Sequence, residues 1–264
     1  MLLEASPRVH SGLVRADYTR TRNPSRTPVY PSPPHFDTVG VALAISRGLE
    51  DRRGGDSVKL DITAFGIGQR IPDGYAMFVP AAEGHVRSGK NRNPALTWSD
   101  LPSGTASLAV IVVDLDAPSA GDDVNKEGRT VREDLPRADF LHWVLVDIPA
   151  SLPGIPEGGD SDGVTAKGKN TGPSRYGVRG KNDYTGWFAG DADMGGVYGG
   201  YDGPAPPWND ERIHHYRFQL FALDVPTLGL SGDFDARQAL DAMNGHILAE
   251  AEHVGTYTLN PAKR

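Results

Sequence analysis

Two carboxylates follow directly on an apolar run in the segment LAVIVVDLDAPSA, residues 108–120. Successive side chains of an extended strand point to opposite faces, so Asp114 and Asp116 share one face. Acids at the end of a strand often form Asx-type turns, and Pro118 fits such a turn. Paired carboxylates also suit hard cations, which prefer oxygen ligands. The spacing alone therefore leaves both a turn and a metal site open.

Two histidines lie on other apolar runs. His142, in FLHWVLVDIPAS, shares a face with core-type residues such as Val144, which predicts a half-buried imidazole. In IHHYRFQLFALD the same alternation turns His214 and Tyr216 inward and His215 outward. An imidazole gains or loses a proton near neutral pH, so inward histidines are candidates for ligand binding or acid–base chemistry. A core histidine satisfied by one backbone carbonyl is the alternative for each.

A glycine and a proline begin the loop that leads into the second histidine strand. The loop reads GGYDGPAPPWNDER, with Gly203 and Pro204 in its middle. Stiff Gly and Pro backbone can present N–H groups to an anion at low entropic cost. A tight connection without any ligand is the alternative interpretation.

Short strands must position these residues, because β-like runs separated by Gly, Pro, Asn and Asp recur after residue 57. The runs are SVKLDITAF, SLAVIVVDLD, FLHWVLVDIP, HYRFQLFALD and VGTYTLN. They predict an all-β fold, a two-sheet antiparallel β-sandwich with Greek-key connections and long loops. The stretch 154–210 is rich in Gly, Asp, Asn and Pro, and loops of that length usually carry function or lack order.

One segment near the C-terminus breaks the β pattern. In DARQALDAMNGHILAEAE the apolar residues at helical spacing are Leu240, Met243, Ile247, Leu248 and Ala251. Asp233 or Asp235 precedes them as a candidate N-cap. We expect a single amphipathic helix here, packed on the sandwich.

Charge and residue usage exclude several classes of function. With 27 Lys and Arg against 34 Asp and Glu the formal net charge is -7, which argues against nucleic acid as the main partner. The sequence has no cysteine, which excludes disulfides, thiolate catalysis and zinc thiolate sites. No run approaches the length of a transmembrane segment, and the N-terminus lacks the pattern of a secretory signal. We expect a cytoplasmic protein without a cofactor.

The N-terminal part has a different composition. Residues 11–36 are crowded with Arg, Pro, Ser and Thr and show no sustained apolar period. We expect residues 1–57 to be an Arg- and Pro-rich extension and residues 58–264 to form one domain. A solvated tail is the simpler interpretation of the extension. An arm that docks on a partner subunit or on an anionic surface is the alternative.

Taken together, these motifs resemble the phosphatidylethanolamine-binding proteins, and within them the bacterial and archaeal, Raf kinase inhibitor-like branch. DLDAP is similar to the family signature D-P-D-x-P, and GPAPP leading to IHHYRF is similar to its G-x-P-P loop and H-R-Y strand. Also similar are NRNPALTWSDLPSGT, LHWVLVDIPAS, GKNDYTGW and HILAEAEHVGTYTLN. The resemblance covers about residues 58–260.

The resemblance implies a sandwich with a C-terminal helix and a small pocket that takes phosphate, acetate, cacodylate or phospholipid head groups. The residues it assigns to this pocket are Asp114, Asp116, Pro118, His142, Gly203, Pro204, His214 and Tyr216. Protonated histidines and backbone N–H groups would hold the anion. A carboxylate would orient a histidine or accept from a ligand ammonium.

We therefore expect a binding protein without obligatory turnover, whose partner is an anionic small molecule or a phospholipid head group. As relatives do, it would regulate partner proteins such as kinases or proteases, and a homodimer is also open. The alternative is an enzyme that uses the same His and Asp groups for acid–base chemistry. The sequence offers that alternative neither a nucleophile elbow nor an H-E-x-x-H metal motif.

Three departures from the family pattern bear on the pocket. Leu115 replaces the middle proline of D-P-D, and His215 replaces the arginine of H-R-Y. The insert FAGDADMGGVYGG enlarges the loop between residues 170 and 200. Without the permanent cation, pocket charge would depend on protonation of His215, unless Arg217 substitutes for it.

Overall fold

The computed structural model describes residues 58–264, so the predicted extension 1–57 lies outside the described residues. The strands are β1 (Lys59–Asp61), β2 (Phe78–Pro80), β3 (Val86–Ser88), β4 (Leu96–Ser99), β5 (Ser107–Pro118), β6 (Arg137–Pro149), β7 (Gly154–Ile155), β8 (Gly172–Pro173), β9 (Val178–Arg179), β10 (His214–Leu223) and β11 (Ile247–Tyr257). The α-helices are α1 (Tyr184–Trp187) and α2 (Ala236–Met243), with short 3-10 helices at Asp73–Tyr75 and Pro261–Lys263. Within this range no helix is long and apolar enough to cross a membrane.

Four long strands form the centre of the molecule. They belong to a six-stranded antiparallel sheet with the order β11-β10-β5-β6-β9-β8. A three-stranded sheet, β1-β4-β7, and the hairpin β2-β3 are also antiparallel. The predicted antiparallel, mostly β class is confirmed. The two-sheet sandwich and its Greek-key connections stay predictions.

The central strands are apolar along their length because both faces of the large sheet are covered. In β5 all of residues 108–113 are buried. On one face Val110 shares a core with Leu96 of the three-stranded sheet. On the other face Ile111 shares a core with Ala239 of α2, so the helix packs on the sheet as predicted. The strand turns polar only beyond this cover, where the two carboxylates begin.

The C-terminal helix is shorter than its apolar spacing predicts. Of the two candidate N-caps the structure uses Asp235, which forms a reciprocal capping box with Gln238. The helix ends at Met243, and Gly245 turns the chain with a positive φ of 84°. Residues 247–257 pair along β10 as a strand. The helical prediction is therefore wrong for Ile247, Leu248 and Ala251, whose backbone belongs to the sheet instead.

Candidate functional site

A pocket opens where β5, β6 and β10 meet near their polar ends. It encloses about 690 Å³ of atom-free space, including its open mouth. The lining residues are Phe78, Val86, Asp114, Ala117, Pro118, Val124, Asn125, Phe140, His142, Tyr184, Trp187, Ala205, Pro206, Pro207, His214 and Leu259. Most of these are apolar or aromatic, whereas Asp114, His142 and His214 form a buried patch that we call the polar floor. A large apolar pocket with a few convergent polar groups is the usual form of a small-ligand site.

Strand register brings the polar floor together. On the sheet, Asp114 lies opposite Tyr216 of β10 on one side and Phe140 of β6 on the other. The pairing of β5 with β6 shifts register on both sides of Asp114. Such irregularities re-aim side chains and often lie next to functional sites. His142, two residues after Phe140, thereby reaches the same pocket as Asp114.

His214 lies in a row of alternating charges that runs into the protein. Its Nδ1 donates to Asp114 Oδ2 at 2.7 Å and its Nε2 donates to Asp210 Oδ2 at 3.1 Å. Arg137 completes the row with two hydrogen bonds to the Asp210 carboxylate, at 2.6 and 3.0 Å. We call Asp114, His214, Asp210 and Arg137 the ion chain. Its two carboxylates and two cations balance, so it adds no net charge to the pocket.

Burial and the ion chain act against each other on the pKa values of His214, Asp114 and Asp210. Burial alone would lower the pKa of His214, but the charges and hydrogen bonds of Asp114 and Asp210 outweigh it and raise the value to about 9. Burial would raise the pKa of both carboxyls, yet His214 holds them below their usual range, with help from Arg137 at Asp210. His214 is therefore charged at neutral pH, with both of its N–H groups already used.

His142 has a different set of partners. Its Nδ1 lies 2.7 Å from the backbone carbonyl of Asp202, which can only accept, so Nδ1 carries the proton. Burial lowers the pKa of His142, and the charge of His214 lowers it further. The charges of Asp114 and Asp202 raise it, but they do not outweigh burial. The imidazole is therefore neutral, and its Nε2 is an acceptor without a hydrogen bond within residues 58–264.

The carbonyl that orients His142 belongs to a fully buried aspartate. The Asp202 carboxylate accepts from Asn91 at 2.7 Å, from Lys169 at 2.6 Å and from Asn182 at 2.9 Å. The Asp202 backbone N–H donates to the carbonyl of His142 at 3.0 Å. These bonds tie the loop to β6 on both sides of the imidazole, so its tautomer is fixed by the backbone.

Four of the eight predicted site residues line the pocket. These are Asp114, Pro118, His142 and His214. Asp116 does not line the pocket, because its carboxylate is bound by other groups of the protein. It accepts from the His215 backbone N–H at 2.9 Å, from His215 Nδ1 at 2.8 Å and from Arg212 at 3.2 Å. His214 is buried and His215 is exposed, as the strand alternation predicts.

The other predicted residues support the pocket from behind. The Gly203 N–H donates to Asn91 at 2.8 Å, so it is not available to an anion. A Cβ on Gly203 would lie 1.9 Å from the Tyr75 carbonyl oxygen, which explains the glycine. The Pro204 carbonyl accepts from two backbone N–H groups of residues 77 and 78.

Tyr216 lies fully buried under the floor. Its ring meets the His142 ring edge to face at 5.1 Å between centroids. Its hydroxyl has no hydrogen-bond partner within the described range. Burial and the charge of Asp114 raise the pKa of this hydroxyl well above its usual value, so it stays a donor.

The sequence did not predict the two arginines that bind carboxylates at and beside the polar floor, Arg137 at Asp210 and Arg212 at Asp116. Asp116 is bound both by His215, one of the two predicted substitutes for the family arginine, and by Arg212, which was not predicted. The other predicted substitute, Arg217, instead places its Nε 3.4 Å from Glu252 Oε2. Arg137 and Asp210 were not predicted. The spacing of Asp210 four residues before His214 is the only signal that we find for them. Among residues 58–264 no group of three or more acidic or histidine side chains is arranged to hold a metal ion.

The fold and pocket define an antiparallel β protein with a mainly apolar pocket near the polar ends of its central strands. The family model of phosphatidylethanolamine-binding protein matches residues 61–258, and the chain belongs to this family. A UPF0098 protein of Methanothermobacter thermautotrophicus is 30% identical over 200 residues, covering 76% of this chain and 98% of that protein. The predicted resemblance is thus confirmed.

Two solved structures share the fold. One is CT736 of Chlamydia trachomatis, a homolog of phosphatidylethanolamine-binding protein, with a TM-score of 0.52, 27% identity and coverage of 77% of this chain and 98% of that one. The other is YbcL of Escherichia coli, with a TM-score of 0.54, 24% identity and coverage of 76% and 98%. Membership of the family implies binding of a small ligand.

Proposed function

We propose that this chain binds a small ligand with an anionic head group of the phosphate type, such as a phosphate ester or a phospholipid head group. The head group would sit on the polar floor and its apolar part against the pocket walls. The observation that carries this proposal is the burial of Asp114, His142 and His214 together in a mainly apolar pocket. Buried polar groups of this kind fix a ligand's orientation.

The available donors differ from those that the family pattern implies. His214 has no free N–H, and the Gly203 N–H is used by Asn91. A head group would instead meet a protonated His142 Nε2–H and the amide of Asn125, whose Oδ1 accepts from a backbone N–H at 3.0 Å. Anion binding therefore favours protonation of His142 and raises its pKa. Affinity should fall as pH rises.

Calorimetric titration with inorganic phosphate and phosphoethanolamine, in the presence of chelator, tests this function. Binding that weakens from about pH 5.5 to about pH 8.5 is expected, because this range brackets an ordinary imidazole pKa of about 6.5. His142→Gln should flatten that dependence. The matched control His246→Gln changes a surface histidine that also pairs with an aspartate, Asp224, and should leave it intact. Binding that chelator abolishes and manganese restores would contradict the proposal.

An enzyme remains the second candidate, and one observation favours it. A neutral imidazole with an unpartnered Nε2 in an apolar pocket is suited to general-base chemistry. The pocket would then act on a bound ester. Turnover of small phosphate or carboxylate esters, lost in His142→Gln and kept in His246→Gln, would support this candidate over simple binding.

A further inference from the structure

We infer that the amide of Asn125 holds the ligand's anionic oxygen by a hydrogen bond whose strength does not change with pH, and that Asn209, which does not line the pocket, positions this amide. The inference rests on the proposed function and deepens it. It divides the affinity into a constant part from Asn125 and a pH-dependent part from His142. Monoesters and diesters of phosphate both present the acceptor oxygen that an amide N–H needs.

The orientation of the Asn125 amide is fixed by its partner. Asn125 Oδ1 accepts from the Trp208 backbone N–H at 3.0 Å, so Nδ2 is the end that carries the two donor hydrogens. Trp208 is itself held in place, because its ring stacks on the His85 ring at 3.7 Å between centroids. Asn125 lines the pocket, and its Nδ2 has no hydrogen-bond partner within residues 58–264. The pocket wall therefore offers an unused donor that carries no charge at any pH.

One buried side chain holds the loop that carries Asn125. Asn209 Oδ1 accepts from the Asn125 backbone N–H at 2.9 Å. Its Nδ2 lies within hydrogen-bond distance of three carbonyl oxygens of the same loop, 2.9 Å from that of Asp123, 3.4 Å from that of Lys126 and 3.0 Å from that of Arg129. A single amide thus fastens both ends and the middle of the loop. These contacts hold Asn125 in the left-handed region, with a φ of 55°.

Titratable groups face this loop from two sides. His85, in the turn between β2 and β3, places Nε2 2.6 Å from Glu127 Oε1, so a proton on His85 is balanced by a carboxylate. Across the pocket, Asp114 and His214 belong to the balanced ion chain, which leaves His142 as the pocket histidine that titrates. The other charged residues of the loop keep one charge state near neutral pH, and they are Asp123, Lys126 and Arg129.

Variants of Asn125 test the constant part of the affinity with methyl phenyl phosphate, a diester that keeps one negative charge throughout. Asn125→Gly removes the amide at a positive φ that glycine tolerates. Calorimetry at about pH 5.5, 7 and 8.5, around the ordinary imidazole pKa of about 6.5, should show an affinity at least about tenfold lower, by the same factor at each pH. The slope that His142 imposes on the wild-type protein should remain.

A second variant keeps the loop and reverses the polarity of its donor. Asn125→Asp retains an acceptor for the Trp208 N–H but places a carboxylate where the donor was, so it should weaken binding more than Asn125→Gly does. The matched control Asn244→Asp adds the same charge at the exposed end of α2 and should keep the wild-type affinities.

Asn209→Ala tests the positioning role. Affinity should fall several-fold in this variant, whereas the same change in an Asn125→Gly background should cause no further loss, because the amide that Asn209 positions is then absent. Asn209→Asp, which keeps the acceptor for the Asn125 N–H, replaces the alanine variant if that one does not fold. Equal losses of affinity in both backgrounds would contradict the positioning role.

The outcomes separate the inference from the function on which it rests. Wild-type protein that binds neither methyl phenyl phosphate nor inorganic phosphate would overturn both together. Binding that stays within about twofold in both Asn125 variants, less than the smallest usual hydrogen-bond contribution, would overturn the inference and leave the proposed function standing. A loss in Asn125→Gly that changes with pH would show that the amide acts through a titrating neighbour, and would also overturn the inference.

Discussion

His142 and His214 are both buried near Asp114, yet His214 is positively charged at neutral pH and His142 is neutral. His214 lies between two carboxylates, and its pKa is raised to about 9. His142 faces a backbone carbonyl, and burial lowers its pKa. Both side chains are almost completely buried, so the degree of burial does not separate them.

The difference shows that the group bound to Nδ1 of each imidazole decides whether its Nε2 carries a proton. A carboxylate compensates the positive charge, so His214 holds two protons and both become structural. A carbonyl orients the ring without compensating a charge, so His142 keeps one proton and one lone pair. The ion chain therefore holds the floor together, and His142 is the member of the floor that remains free to respond to a ligand.

The largest effect is expected from removing the charged histidine. His214→Ala leaves Asp114 and Asp210 buried without their shared cation, and breaking such a pair costs about 3 to 5 kcal/mol of unfolding free energy. Urea denaturation monitored by Trp fluorescence measures this loss. His246→Ala, which removes an exposed His–Asp pair, should cost less than about 1 kcal/mol. Similar losses of unfolding free energy in both variants would show that His214 has no special structural role.

The contributions of His214 and His142 to the free energy of unfolding should change with pH in opposite directions. The raised pKa of His214 contributes stability that is complete below about 6.5 and is lost as pH rises through about 9. The lowered pKa of His142 contributes stability above about 6.5 that is lost as pH falls below that value. Thermal unfolding should therefore show a melting temperature that declines by about 5 °C or more between about pH 6.5 and 9.5. A flat profile on the alkaline side would contradict the assignment of His214.

Asp114→Asn tests the comparison through the residue that both histidines share. His214 loses one of its two carboxylates, so its pKa should fall by about one unit or more. His142 loses an attractive charge and should become harder to protonate. NMR titration of the two imidazoles measures both changes. A pKa of His214 that stays unchanged would show that Asp210 alone sets it.

The smallest effect is expected at His215. Its side chain is half exposed, and Asp116 keeps Arg212 and the His215 backbone N–H when the imidazole is removed. His215→Ala should cost less than about 1 kcal/mol of stability. Phosphate affinity should change less than about twofold, within the scatter of exposed ion pairs. Greater damage than from the His214 variant would show that the wrong histidine has been placed at the floor.

The sequence predicted the long strands well because their burial is visible in apolar runs. It also placed His214 inward and His215 outward, since alternation along β10 is regular. The C-terminal helix was overextended because the apolar residues after Gly245 fit both periods over so short a stretch. Only the hydrogen-bonded pairing with β10 decides between them.

Half of the predicted site residues line the pocket, although all eight were assigned by their resemblance to the family's motifs. Gly203 is fixed by a close backbone approach to Tyr75, which no local pattern reveals. The same limit applies to the charge states. The raised pKa of His214 depends on Asp114 and Asp210, and Asp114 is distant from His214 in the chain.

The protons on the two buried imidazoles can be observed by ¹⁵N NMR of the histidine side chains. At about pH 7.5, one unit above an ordinary imidazole pKa, His214 should show two protonated nitrogens. His142 should show a protonated Nδ1 and a bare Nε2 in the same spectrum. A His142 that is protonated on Nε2 alone, or a neutral His214, would contradict the account.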